Sequence, residues 1–357
     1  MSEVPSRRAR ISRWDPLTVG IDIGGSKVLA GVVDSHGMVV QTQQRVTPVR
    51  SVRAVEETIV ELVDDFRQAY DVAAVGIGAA GFVDVTRSVV TFSPHLAWRD
   101  EPLRAAVADR IRLPVVVDND ANTAALAESR FGAGVGHRYV LCVTLGTGIG
   151  GALVIDHRVF RGAHGMAGEF GHIQVVEDGH RCPCGNRGCW EQYASGDALV
   201  REAREMVVAG SPLAHRLSRV VDGDAARLTG PQITQCARDG DPLSVELISD
   251  IGRWLGIGLA GMAAAFDPGC IIVGGGVSAA GDLLLDPTRA AFSRSLVGRG
   301  HRAEPLILAA SLGPSAGFIG AADMARSAAR RARRTRGRSR QRISLLRRPP
   351  GERGGRG

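Results

Sequence analysis

Apolar positions along this chain fall into short β-branched runs and 3.6-residue stripes, and the order of the two predicts a repeated unit. Leu17–Ile23, LTVGIDI, reads as a strand that enters Gly24-Gly25-Ser26-Lys27 and leaves through a second run, VLAGVVD. Two strands around a tight glycine turn make a hairpin whose turn amides can face a phosphate, although such turns are common and weak as a signal. Ser51–Tyr70 carries apolar residues at Val52, Val55, Ile59, Leu62, Val63 and Phe66, the stripe of a helix packed on a sheet. Val72–Gly81 reads as a buried strand running into a glycine-rich loop, and SPHLAWRDEPL breaks the periodicity around Pro94 and Trp98, so a loop is expected there. Leu113–Asp118 is another buried strand, ending in Asn119-Asp120-Ala121-Asn122 and a helix. Arg138–Gly151 repeats the strand and glycine turn at Gly146, Thr147 and Gly148, and Cys270–Ser278 runs into Gly274, Gly275, Gly276 and Val277. Ile233–Phe266 holds two amphipathic helices, with Trp254, Leu255, Ile257 and Leu259 too apolar to face water. Pro305–Ala310 predicts a last strand and Ser315–Ala325 a last helix. The duplicated units argue for two similar α/β lobes around a cleft.

Composition narrows this picture. A length of 357 residues suits one two-lobed protein or two to three ordinary domains, and few aromatics beside 46 glycines suit an alanine- and glycine-rich α/β chain. No apolar run reaches the ~18 residues of a membrane span. The N-terminal MSEVPSRRARISRWDP has arginines but no apolar stretch of a secretory signal, so the expected location is cytoplasmic, with no membrane contact. The formal charge of +7 is uneven: from Arg326 to Gly357 there are 13 arginines against one acid, Glu352. That segment's +12, taken from the whole chain's +7, leaves residues 1–325 at −5. The expected layout is a disordered extension over 1–16, lobes over 17–135 and 136–325, and a disordered arginine-rich tail over 326–357. The tail is either a non-specific polyanion contact or a solvated extension.

Three groups of residues carry candidate chemistry. Cys182, Cys184 and Cys189 lie within eight residues, with His172 upstream, and three thiolates with one imidazole are a common closed ligand set for structural zinc. Three clustered cysteines cannot all pair with one another, and a chain without a secretory signal favours metal over disulfides. Cys142, Cys236 and Cys270 sit in apolar or helical surroundings and read as plain buried thiols. Asp22, at the end of the first strand, can hold Mg2+ through water. Asp120 has two readings of equal weight, a helix N-cap or a general base at the carboxyl end of a strand.

The stretch GEFGH followed by C-x-C-G-x-x-G-C-x-E resembles the signature of the ROK family of repressors and sugar kinases. The resemblance covers about Thr18 to Ala325. It implies a two-lobed actin-like ATPase fold, related to ribonuclease H, with a nucleotide and sugar cleft between the lobes. In that family the zinc is structural and holds the loop that presents Glu169, His172 and Glu191 to a sugar. DNDAN resembles the family's catalytic motif, which implies Asp120 as base and Asn119, Asp120, Glu169, His172 and Glu191 as hexose contacts. By the same resemblance, Asp22 and Gly24–Lys27 form the first phosphate loop, Gly146–Gly148 the second, and Gly274–Val277 the adenosine loop. GIGAAGFVD, HLAWRDEPL and VVVDNDANTAALAE look most like ATP-dependent glucokinases of actinobacterial type.

Those segments imply glucose and ATP as substrates, Mg2+ and zinc as cofactors, and a homodimer or homotetramer. His95 departs from the Asn that often stands at this place, which bears on the exact sugar. Kinases of N-acetylmannosamine, N-acetylglucosamine or fructose, and polyphosphate as donor, are the near alternatives. A sugar-sensing repressor is the distant one. It needs a helix-turn-helix of ~60–80 residues, whereas about 17 precede the first strand here.

Overall fold

The computed structural model describes residues 16–94 and 96–330. Strands β1 (Leu17–Ile23), β2 (Lys27–Val33) and β3 (Val39–Val46) form an antiparallel meander. Helix α1 (Val52–Arg67) then carries the chain to β4 (Val72–Ala79), parallel to β1. The stripe expected for α1 is the face it buries, Val55, Ile59, Leu62, Val63 and Phe66, and Ser51 caps its start by accepting from the Ala54 amide at 3.2 Å. A small antiparallel sheet follows, β5 (Phe82–Val83), β6 (Val90–Phe92) and β7 (Arg99–Glu101). The irregular stretch expected after Ser93 is therefore short. It ends where Trp98, fully buried, drops into the core and β7 begins. Helix α2 (Leu103–Ile111), strand β8 (Val115–Asn119) and helix α3 (Asp120–Phe131) complete a sheet of order β3-β2-β1-β4-β8.

The second half repeats the plan. β9 (Tyr139–Leu145), β10 (Ile149–Ile155) and β11 (Arg158–Phe160) form the meander. Helices α4 (Glu191–Ala194), α5 (Gly196–Val208), α6 (His215–Val220), α7 (Gly230–Arg238) and α8 (Pro242–Phe266) come next. β12 (Cys270–Gly274) lies parallel to β9, and after α9 (Asp282–Ser295) the strand β13 (Leu306–Ala309) lies parallel to β12. The order β11-β10-β9-β12-β13 matches the first sheet strand for strand. Two equivalent sheets, each a meander extended by parallel strands, make the two-lobed actin-like architecture. α8 holds the second lobe together: Leu255 and Leu259 are fully buried, while Trp254 and Ile257 are half-buried. Cys142, Cys236 and Cys270 are buried free thiols.

The last helix, α10 (316–330), does not stay with the second lobe. It returns to the first sheet, where Phe318, Ile319 and Ala322 pack with Val33 and Ala127. The approach is so close that a Cβ at Gly20 would overlap the Phe318 carbonyl, and one at Gly76 the Ala321 carbonyl. The boundary expected at residue 326 is corrected by this helix, which continues to 330. Arg326 is 2% exposed and donates to Thr18 Oγ1 at 2.7 Å and to the Val33 carbonyl at 2.8 Å. It is a side chain of the first lobe's core, and an arginine-rich composition hid that. The expectations for residues 1–15, His95 and 331–357 lie outside the described residues.

Candidate active site

The polar loops gather at the carboxyl ends of the parallel strands, where an α/β sheet opens into a crevice. In the first sheet the register sets Asp22 beside Gly78, and Gly78 beside Asp118, so that Ala79 and Asn119 close the row. Asn119, not Asp120, is the N-cap of α3. Its Oδ1 accepts from the Asn122 amide at 3.0 Å, and its Nδ2 donates to the Gly81 carbonyl at 3.1 Å and to Asp120 Oδ1 at 3.0 Å. With the cap supplied by its neighbour, Asp120 is the first helical residue, and its Oδ1 also accepts from the Ala121 amide at 2.9 Å. Burial pushes the Asp22 carboxyl up to about 7; the charge of Asp120 adds to this and Lys27 opposes it. Asp22 and Asp120 are therefore within electrostatic reach of each other.

A second set of polar groups is the Cys-His cluster with Glu169 and Glu191 beside it. His172 Nδ1 lies 3.6 Å from Cys182 Sγ, the Cys184 and Cys189 sulfurs are 3.6 Å apart, and all four donor atoms lie within 4.8 Å of one another. Tetrahedral zinc with Zn–S of about 2.3 Å and Zn–N of about 2.0 Å spaces its donors about 3.5–3.8 Å apart, so this set fits the ion. Burial pushes the Cys182 and Cys189 thiols up, so metal uptake displaces protons. Glu191, at the start of α4, accepts from Cys182 Sγ at 3.1 Å, lies 3.6 Å from His172 Nδ1, and overhangs Gly148 of the second glycine loop. Desolvation raises the Glu169 carboxyl; His172 lowers it, and the charges of Asp120 and Glu191 raise it further. Asp120, Glu169, His172 and Glu191 are thus within electrostatic reach of one another.

The three glycine loops are braced differently. The Gly24 amide donates to the Lys27 carbonyl at 3.0 Å, and Thr47 Oγ1 donates to the Gly24 carbonyl at 2.8 Å. Gly25, Ser26 and Lys27 are exposed, with Lys27 opening β2. In the second loop the Gly146 amide donates to the Gly148 carbonyl at 3.0 Å, while the Gly196 and Asp197 amides of α5 donate to the Gly146 and Thr147 carbonyls. The third loop lies beside it, because Gly274 pairs with Thr144 across β12 and β9, and Gly275 (φ 86°) rests on the Leu145 backbone. Gly276 begins a 3-10 turn in which Val277 is buried.

Two features escaped the sequence reading. Asp118, the first residue of DNDAN, is a buried carboxylate held by Arg161 from the other half of the chain. Glu128 in α3, also buried, accepts from the Ala133, Ser311 and Leu312 amides and so fastens α3 to the segment that leads into α10. Neither pairing has a local motif to announce it.

Comparison with known proteins bears on this geometry. The model of the ROK family matches residues 18–328. Over 310 residues the chain is 49% identical to the glucokinase of Streptomyces coelicolor, covering 87% of this chain and 98% of that one. A crystal structure of a ROK family glucokinase from Streptomyces griseus, in complex with glucose and AMPPNP, superposes with a TM-score of 0.80. It is 50% identical, with 87% of this chain and 99% of that chain covered. The xylose repressor of Bacillus subtilis is 28% identical over 85% of this chain and 75% of its own length.

Proposed function

The chain belongs to the ROK family, and from that premise we propose that it is a glucokinase, transferring the γ-phosphoryl of ATP to the 6-hydroxyl of glucose with Asp120 as general base. The likeness to glucokinases over nearly the whole of their length supports the substrate and the donor. The observation that carries the mechanism is the division of roles at the end of β8: Asn119 caps the helix, and Asp120 follows as its first residue, near enough to Glu169 for its charge to raise that carboxyl. Phosphoryl transfer asks for positioning and charge neutralisation more than for covalent groups. Asp120 takes the proton of the attacking hydroxyl. Asn119, Glu169, His172 and Glu191 hold the other hydroxyls of the sugar, a set of carboxylates and an amide suited to a polyol. The amides of Gly25–Lys27 and of Thr147 and Gly148 face the phosphates, while those of Gly24 and Gly146 close their own turns, and Gly274–Val277 receive the nucleoside.

Two ions complete this reading. Asp22 would hold Mg2+, which would supply charge neutralisation on the phosphates. His172, Cys182, Cys184 and Cys189 would hold zinc, which would fix the fold of the sugar loop, and the donor spacing supports that choice. With Nδ1 of His172 turned to the sulfurs, Nε2 is the nitrogen left for the sugar. Work on ATP and free glucose supports a cytoplasmic location.

Asp120→Asn tests the base. Turnover should fall by about 10²–10⁴ while the calorimetric glucose Kd stays within a few fold, since the amide still accepts a hydrogen bond. Turnover near that of the parent protein removes Asp120 from the role.

A further inference from the structure

Four groups converge on the carboxylate of Asp118, whose side chain is 2% exposed. It accepts from Arg161 Nε at 3.0 Å and from Arg161 Nη2, from Asn122 Nδ2 at 3.0 Å and from the Asn119 amide at 3.0 Å; Arg87 Nη1 lies 3.8 Å away. Asn119 and Asn122 are the two partners of the α3 cap and flank Asp120. Arg161 belongs to the other half of the chain. It follows β11 directly and opens the segment 161–169 that ends at Glu169. The guanidinium also donates to the Val159 carbonyl at 3.1 Å, and the Ala167 amide folds back onto the Arg161 carbonyl at 3.1 Å. One side chain thus ties the strand end that bears the base to the loop that bears a sugar carboxylate.

A buried ion pair adds little net stability, because desolvation offsets the attraction. What a forked guanidinium on a carboxylate does supply is fixed relative geometry. We propose that Arg161 is a positioning residue: its pair with Asp118 sets the separation of Asp120 and Glu169, and so the place of the sugar hydroxyl relative to the base. The inference rests on the function proposed above. Misplacement by about 1 Å costs about 10²-fold in rate, so a small slackening here is readable in kinetics.

Two variants test it, Arg161→Lys and the double variant Arg161→Met/Asp118→Asn. Lysine keeps a charge and loses the fork; the double variant removes both charges of the buried pair, leaving only the partly exposed Arg87 beside the site. Both should melt near the parent protein, lose at least about tenfold in kcat/KM for glucose, and keep the KM for ATP within about twofold. A strut with no positioning role would regain activity together with thermal stability in the double variant. Either folded variant with kcat/KM for glucose within about twofold of the parent overturns the inference, as does failure of both to fold. If only one folds, it decides alone. The parent protein is run first: no turnover of glucose there contradicts the substrate reading instead, and calorimetric Kd values for the hexose it does bind then carry the comparison.

Discussion

At the scale of single residues, chemistry at this site depends on which of two neighbours caps a helix. Asn119 and Asp120 are both good capping residues, and no local rule ranks them. The resemblance of DNDAN to a catalytic motif favours Asp120 as base, and the structure shows that Asn119, not Asp120, makes the cap. Asp22 adds a pH signature. In the fold its carboxyl binds a proton up to about pH 7, against 3.8 in an ordinary setting. A folded-state pKa above the unfolded one stabilises the protein fully below the unfolded value and is lost as pH rises through the folded value. Without nucleotide, the melting temperature should therefore fall between pH 3.8 and about 7 relative to Asp22→Asn, which keeps the shape and cannot ionise. Parallel curves for the two proteins would contradict the burial of this carboxyl. Asp22 was legible because a short motif surrounds it. Arg161 was not, because its partner lies 43 residues away and arginines are plentiful in the chain.

At the scale of elements, the sequence reading did best where a signal is local and dense. The hairpins with glycine turns, the α1 stripe and the Cys-His cluster each fit within some twenty residues, and each is formed where it was expected. Cys184→Ala should lose bound zinc and raise the KM for glucose more than that for ATP, because metal binding is partly folding energy of the sugar loop. Full zinc content by atomic emission in that variant would refute the ligand set. The last helix was misjudged for the opposite reason. Its contacts pair Gly20 and Gly76 with residues some 300 and 245 positions away, and its final turn is written in arginine and alanine. Truncation after Ala325 removes Arg326 from Thr18 and Val33 and leaves Asp323 short of a partner, at a cost on the order of 3 kcal/mol. That cut should lower the melting temperature by several degrees, and a cut after Arg330 should not. Equal melting of the two truncations would argue against the structural role of Arg326.

At the scale of the whole molecule, the two sheets share one order, and the proposed base follows a strand of the first while most of the residues proposed to hold the sugar follow strands of the second. α10 starts after the last strand of the second sheet and ends on the first, so the lobes are joined by a crossing helix as well as by the Arg161–Asp118 pair. Among the described residues no helix is long and apolar enough to cross a membrane. The lobe plan was legible from the repeated strand and turn units; the crossing was not, since nothing in a helix sequence tells which sheet it will cover. The most direct test of the proposed activity is ADP release from Mg-ATP, measured in parallel with glucose, mannose, fructose, N-acetylglucosamine and N-acetylmannosamine. Glucose should give the highest kcat/KM by a clear margin; preference for an amino sugar, or no turnover with any of the five, would contradict a glucokinase.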